Sequence, residues 1–262
     1  MLAIPLGSYQ PTGSAIHALD ARVKAATLIV AMVCAFAITS PAQLAFALAG
    51  TALLVHLTRL GHAATLRGLI PVVPFALVVA LFDLIANTGG TQLATLGPIT
   101  ITSAGAWAAV LYPTRLLMVV CVGSLLLATT TPTQLTDAFE ALISPLARLG
   151  APVHEIALVL SLGLRFVPIL ADEAQSVMDA QAARGASFEE GSAWARLRAL
   201  GTILVPVFAG ALRHAQNLAR ALDARNYEGG ADRTHYHTPR LTSKDALFAL
   251  ATAAWLAVTL SL

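Results

Sequence analysis

Residues 104–128 read AGAWAAVLYPTRLLMVVCVGSLLLA, and Arg115 is their only charged side chain. A bilayer core about 30 Å thick needs roughly 20 mostly apolar helical residues, with about 17 as the lower limit. This stretch meets that length and sets the class of fold. Three earlier stretches, 23–40, 42–58 and 66–86, meet it too, and ALFALATAAWLAVTLSL at 246–262 meets it at the short end. The whole chain agrees, with 57% hydrophobic and 11% charged residues and a mean hydropathy of +0.74. A soluble chain has about 45–50% apolar and about 25% charged residues. The expected fold is an all-α integral membrane protein with about five transmembrane helices.

Basic loops stay on the cytoplasmic side. Arg22 and Lys24 precede span one, Arg59 and Arg67 lie between spans two and three, and Lys244 precedes span five, whereas 40–42 and 87–104 contain no Lys or Arg. The N-terminus is therefore expected in the cytoplasm and the C-terminus outside. The start of the chain lacks a basic n-region followed by an apolar h-region, so no signal peptide is expected and the mature chain is expected to begin at Met1. A net charge of +2 and the absence of a basic run with interleaved aromatics exclude nucleic acid as a partner. The two cysteines, Cys34 and Cys121, sit in apolar runs and imply neither a disulfide framework nor a metal site. Neither lysine, Lys24 or Lys244, belongs to a GxxxxGK[ST] loop, so the chain itself should not bind ATP that way.

Charge divides the chain. Residues 133–243 hold ten arginines and eleven acidic residues, 21 of the 30 charged side chains. Within them, IALVLSLGLRF (156–166) and LGTILVPVFAGAL (200–212) are apolar but short for spans. They read as parts of long amphipathic cytoplasmic helices at or under the membrane surface. The first such helix opens with TPTQ at 131–134, where Thr131 caps, Pro132 suits the first helical position and Gln134 completes a capping box. Leu135, Phe139, Leu142, Leu146 and Leu149 make its stripe, Pro145 should bend it, and Gly150 and Pro152 end it. The second runs from about 153 to 184 and the third from about 192 to 226, with kinks expected at Pro168 and Pro206.

Both later helices finish on an arginine among small residues, AARGA at 182–186 and DARNY at 223–227. A cation at a helix C-terminus is favoured by about 0.3–1 kcal/mol, and Gly185 is a natural residue after the cap. Steps of seven residues, which drift about 20° around a helix, align Arg225 with Leu218, Ala211 and Leu204, and Arg184 with Val177 and Leu170. Each arginine thus continues an apolar stripe. Flanking alanines let a surface approach, and a guanidinium pairs bidentately with a carboxylate in a partner's groove.

AARG at 182–185 and DARN at 223–226 resemble the paired Ala-Arg-Gly motifs of EcfT, the transmembrane coupling subunit of energy-coupling factor (ECF) transporters. The resemblance extends to YQPTGSAIHALDARVK (9–24), TTPTQLTDAFEALISPL (130–146) and NYEGGADRTHY (226–236), the last in the form shared by several receptors. Asn226 stands where glycine is usual, and asparagine also tolerates the left-handed backbone. The resemblance implies an N-terminal transmembrane domain (1–130), a cytoplasmic domain with three coupling helices (131–243) and a last transmembrane helix (244–262). It implies two ABC-type ATPase partners whose grooves take Ala183, Arg184, Gly185, Ala224, Arg225 and Asn226. A small membrane substrate-binding subunit, interchangeable in the shared type, would hold a vitamin or other micronutrient. The chain would sit in the cell membrane as a non-catalytic link with no cofactor of its own, ATP and Mg²⁺ being bound by the ATPases.

Other constellations are weaker. HEIAL at 154–158 lacks the second histidine of H-E-x-x-H. His235, His237 and Asp232 fall in a polar loop, where a metal site is not expected. Asp83 lies toward the outer end of span three. Arg115 lies deep in its span with no acidic residue there to pair it, which favours helix packing or receptor contact. The competing reading is a stand-alone secondary transporter or channel. Such folds show internal repeats, whereas here the charge is gathered into one block.

Overall fold

A computed structural model describes residues 9–60, 68–96, 99–185, 193–227 and 241–262. Two compact units are present. One comprises the described residues of 9–142 together with 241–262, the other those of 143–227.

The first unit contains α1 (Ala21–Ala35), α2 (Pro41–Thr58), α3 (Val73–Ala86), α4 (Ser103–Thr129), α5 (Pro132–Ile143) and α8 (Ser243–Ser261). Starts are marked as the residues dictate. The Asp20 carboxylate accepts the Arg22 N–H at 2.9 Å. Ser40 and Gln43 form a capping box ahead of Pro41, satisfying donors that the first turn leaves orphaned. The box expected at 131–134 is also formed, with Gln134 N–H on Thr131 Oγ1 at 3.3 Å and Thr131 N–H on Gln134 Oε1 at 3.1 Å.

Lengths differ from the sequence expectation. Span one stops at Ala35, because the chain tightens into a turn in which Phe36 N–H bonds Val33 and Ala37 N–H bonds Cys34. Span three is a 3-10 turn, Ile70–Val72, followed by 14 residues of α-helix. Pro71 and Pro74 supply no N–H to the ladder there. Residues 92–102, expected as loop, form an antiparallel hairpin, β1 (Gln92–Leu96) with β2 (Ile99–Thr102), pairing Ala94 with Ile101. The alternating ITIT of β2 suits a pleated strand.

Two apolar clusters hold this unit. One joins Ala35, Ile38, Leu44, Ala47, Leu111 and Met118 beneath Trp107 and Trp255. The other joins Ala25, Leu28, Val122, Leu126 and Ala138, so α5 packs on α1 and α4. Polar ties close one end. Buried Lys24 donates to the Thr129 carbonyl at 3.0 Å, and Asp20 N–H donates to Asp245 Oδ1 at 2.8 Å. The entry segment adds Thr12 Oγ1 to the Thr58 carbonyl at 2.8 Å and Gln10 N–H to the Ala128 carbonyl at 3.0 Å. The starts of α1 and α8 and the ends of α2 and α4 are thereby gathered together, which fits helices of alternating direction.

The second unit holds a 3-10 segment (Ser144–Leu149), α6 (Val153–Ala183) and α7 (Ala193–Asp223). The first coupling helix thus does not merely bend at Pro145: its α-helix ends at Ile143 and gives way to 3-10. The apolar run of α6 was expected to be short for a span. The helix that contains it runs 31 residues through Pro168, over the expected range. By length and composition alone, α2, α4, α6 and α8 are the four described helices long and apolar enough to cross a membrane. The molecule is the expected all-α membrane class, with a small hairpin added.

Candidate functional site

Each arginine of the paired motifs lies just past the end of its helix, immediately before a left-handed residue. At the end of α6, Arg184 is the cap (φ −88°) and Gly185 follows at φ +90°. Gly185 N–H bonds the Ala182 carbonyl at 2.9 Å and Arg184 N–H bonds the Gln181 carbonyl at 3.1 Å. At the end of α7, Asn226 takes φ +53°. Its N–H bonds the Asp223 carbonyl at 2.9 Å and the Tyr227 N–H bonds the Leu222 carbonyl at 3.1 Å. Those two bonds are the 5→2 and 6→1 pairs of a Schellman cap. Asparagine at 226 therefore does what glycine does at 185, placing Arg225 where Arg184 stands relative to its own helix.

All six motif residues, Ala183, Arg184, Gly185, Ala224, Arg225 and Asn226, are exposed. Neither guanidinium has an ion pair or hydrogen bond among the described residues. Behind them Leu170 and Val177 on α6, and Ala211 and Leu218 on α7, are half-buried, while Leu204 is 69% exposed. Alanine before each arginine keeps the approach to the helix end open, so a planar cation stands at the tip of a narrow rod. A third end in this unit shares the cap but not the charge. Gly150 (φ +84°) and Ala151 close the 3-10 segment onto Ala147 and Leu146, presenting Leu149, which is 85% exposed.

The same unit leaves much apolar surface uncovered. Val159 on α6 and Leu204, Val205, Phe208 and Leu212 on α7 are each more than half exposed, and the α7 residues with Ala209 line an apolar groove. Arg115 belongs to the other unit. Near the middle of α4 it is 8% exposed, its guanidinium carbon lies 5.3 Å from the centroid of the Tyr112 ring, and its Nε has no hydrogen-bond partner. Tyr112, three residues earlier, lies on the side toward which helical side chains lean, and a desolvated cation–π contact is worth about 2 kcal/mol. No acidic side chain pairs with Arg115 among the described residues.

Sequence spacing did not reveal what joins α6 to α7. Glu173 of α6 lies against Arg213, His214 and Gly210 of α7. These residues sit 37 to 41 positions apart, so no helical period pairs them. Gly210 inside an apolar stretch was the one visible hint of close approach. His235, His237 and Asp232 lie outside the described residues, as does most of NYEGGADRTHY.

Residues 12–236 match the CbiQ family, described as cobalt transport protein. The energy-coupling factor transporter transmembrane protein EcfT of Streptococcus equi is 40% identical over 242 residues, covering 92% of this chain and 90% of that protein. The EcfT of Bacillus subtilis is 36% identical over 242 residues, covering 92% and 91%. A putative ABC transporter ATP-binding protein of Bifidobacterium longum is 44% identical over 257 residues, 98% of this chain but 33% of that protein. The chain thus spans about a third of the B. longum protein and about nine-tenths of these EcfT proteins. With the membrane helices and the matched stretch covering both arginine ends, the chain belongs to the CbiQ/EcfT family of transmembrane components of energy-coupling factor transporters.

Proposed function

We propose that this chain links ATP hydrolysis by two cytosolic ABC-type ATPases to movement of a separate membrane subunit that holds a vitamin or other micronutrient. The observation that carries the reading is the twin cap. Arg184 and Arg225 occupy the same position before a left-handed residue, exposed and without ion pairs among the described residues. Two equivalent cationic tips match two related grooves lined by carboxylates. Pairing there, away from water, is worth more than at an open rim. The B. longum relative supports the ATPase side. It is named an ATP-binding protein, and a third of its length matches nearly all of this chain.

On this reading ATP and Mg²⁺ belong to the partners, and this chain is non-catalytic. The ATPase-contacting residues are Ala183, Arg184, Gly185, Ala224, Arg225 and Asn226. The exposed apolar surfaces of α6 and α7 face the bilayer or the interchangeable receptor, since apolar patches of this kind mark membrane or protein contacts. Arg115 is an intramembrane packing cation held by Tyr112. Residues 1–130 and 244–262 supply the transmembrane domains and 131–243 the coupling domain. Arg22, Lys24 and Lys244 support a cytoplasmic position in the cell membrane for the gathered ends of α1, α4 and α8, with the C-terminus outside.

The test is co-purification with the two ATPases. Arg184→Glu or Arg225→Glu should each weaken capture, by about 2–5 kcal/mol per interface if the pair is desolvated. The double variant should abolish it. Undiminished capture of both ATPases by the double variant would sink the proposal.

A further inference from the structure

The helices that carry the two arginines are joined by a compact polar contact. Glu173 projects from α6 over Gly210 of α7, which is buried. A Cβ at position 210 would occupy the space of the Glu173 carboxylate. That carboxylate is held from two sides. Oε1 is 3.7 Å from Arg213 Nη2, and Oε2 is 3.2 Å from His214 Nε2. Oε2 is shielded from solvent and lies against the His214 ring without hydrogen-bond alignment. The His214 ring is in turn tilted against Phe166 of α6, with centroids 6.2 Å apart.

The position of this contact matters. Glu173 precedes Arg184 by eleven residues and Gly210 precedes Arg225 by fifteen, about 16 Å and about 22 Å of helix. On the far side of the contact lie the exposed apolar residues, Val159 on α6 and Leu204 and Val205 on α7. Each helix thus has a charged end and an apolar half on opposite sides of one joint. Val153, Ala157 and Ile203 are the only described apolar side chains fully buried on the two helices. A helix surface with so small a core can slide, whereas a carboxylate seated in a glycine gap and flanked by Arg213 and the His214 ring resists it.

We propose that Glu173, seated on Gly210 and held by Arg213 and His214, is the positioning residue that joins α6 and α7 into one lever. Displacement of the arginine ends then reaches the apolar halves. The purpose of this lever rests on the function proposed above, but its existence does not.

Spin-label pairs test both. In a background with Cys34 and Cys121 replaced by alanine, cysteines at Ala180 and Ala221 label the near arms, and at Val159 and Leu204 the far ones. In the purified chain, the lever predicts narrow distance distributions that broaden for Glu173→Gln and for Gly210→Leu. Glu173→Gln adds no volume and serves alone if the leucine variant fails to fold. In the complex with its ATPases, Mg-ATP with vanadate should shift both label pairs. In the variants the near-arm shift should persist and the far-arm shift should be lost. Narrow distributions unchanged by Glu173→Gln would overturn the lever, and a far-arm shift preserved in the variants would overturn its role in transmission. A parent complex in which vanadate moves neither pair counts against the proposed function, while the purified-chain distributions still decide the lever.

Discussion

The two units differ in the apolar core they bury, although both also expose large apolar side chains, Phe82 and Leu250 in the first as much as Phe208 in the second. In the unit of α1 to α5 and α8, Leu28, Ala47, Met118, Val122, Leu126 and Ala138 are buried in shared clusters, and the polar groups at one end are tied by Lys24, Asp20 and Asp245. In the unit carrying the arginines, Phe208, Val205 and Val159 are more than two-thirds exposed, and the charged tips have no partners among the described residues. Hydrophobic burial contributes roughly 25 cal/mol per Å² wherever it happens. Surface left open within the chain therefore contributes only when lipid or a partner covers it. A unit that is incomplete by itself is what a subunit linking other subunits requires.

Truncation should separate the units most strongly. Leu28→Ala, which hollows a buried cluster, should lower the stability of the purified protein in detergent by about 2–5 kcal/mol. Phe208→Ala should change it by about 0.5 kcal/mol or less. Thermal unfolding followed by tryptophan fluorescence compares them. Equal losses would mean that α7 is already covered within the purified chain.

Next comes the polar end. Asp245 is 3% exposed and accepts the N–H of Asp20 at 2.8 Å and of Thr242 at 2.7 Å. Asp245→Ala orphans both donors and should cost about 1–3 kcal/mol, read in the same unfolding experiment. Capture of the ATPases should be little changed, because the residue is in the unit without the arginine tips. The smallest effect is at the second cap. Asn226→Gly relieves a positive φ and should protect the cap amides slightly, by less than about 1 kcal/mol, whereas Asn226→Val should cost about 1–2 kcal/mol. Hydrogen exchange of the Asn226 and Tyr227 amides reports both, and equal protection in the two variants would mean that the cap does not depend on the left-handed residue.

The same contrast explains what the sequence disclosed. Caps, helix ends and membrane character are local or compositional, so the 131–134 box, the turn at Gly150 and the cap at Asn226 could be read from neighbouring residues. Lengths were less legible. Pro71 and Pro74 shorten α3, whereas Pro168 sits inside a continuous α6. Which outcome a proline has depends on whether surrounding bonds sustain the helix. The contacts of Lys24 with Thr129 and of Glu173 with Gly210 join distant residues and carry no spacing signal.

Charge exchange across the ATPase contacts is the most direct test of the central claim. Arg184→Glu and Arg225→Glu would each be combined with a lysine replacing the facing groove carboxylate, and affinity measured for all four members of each cycle. The account predicts that each single change weakens binding and that the matched pair restores it, with a coupling of about 1.5 kcal/mol or more at both ends. Purely additive losses, or a coupling at one arginine and none at the other, would contradict it.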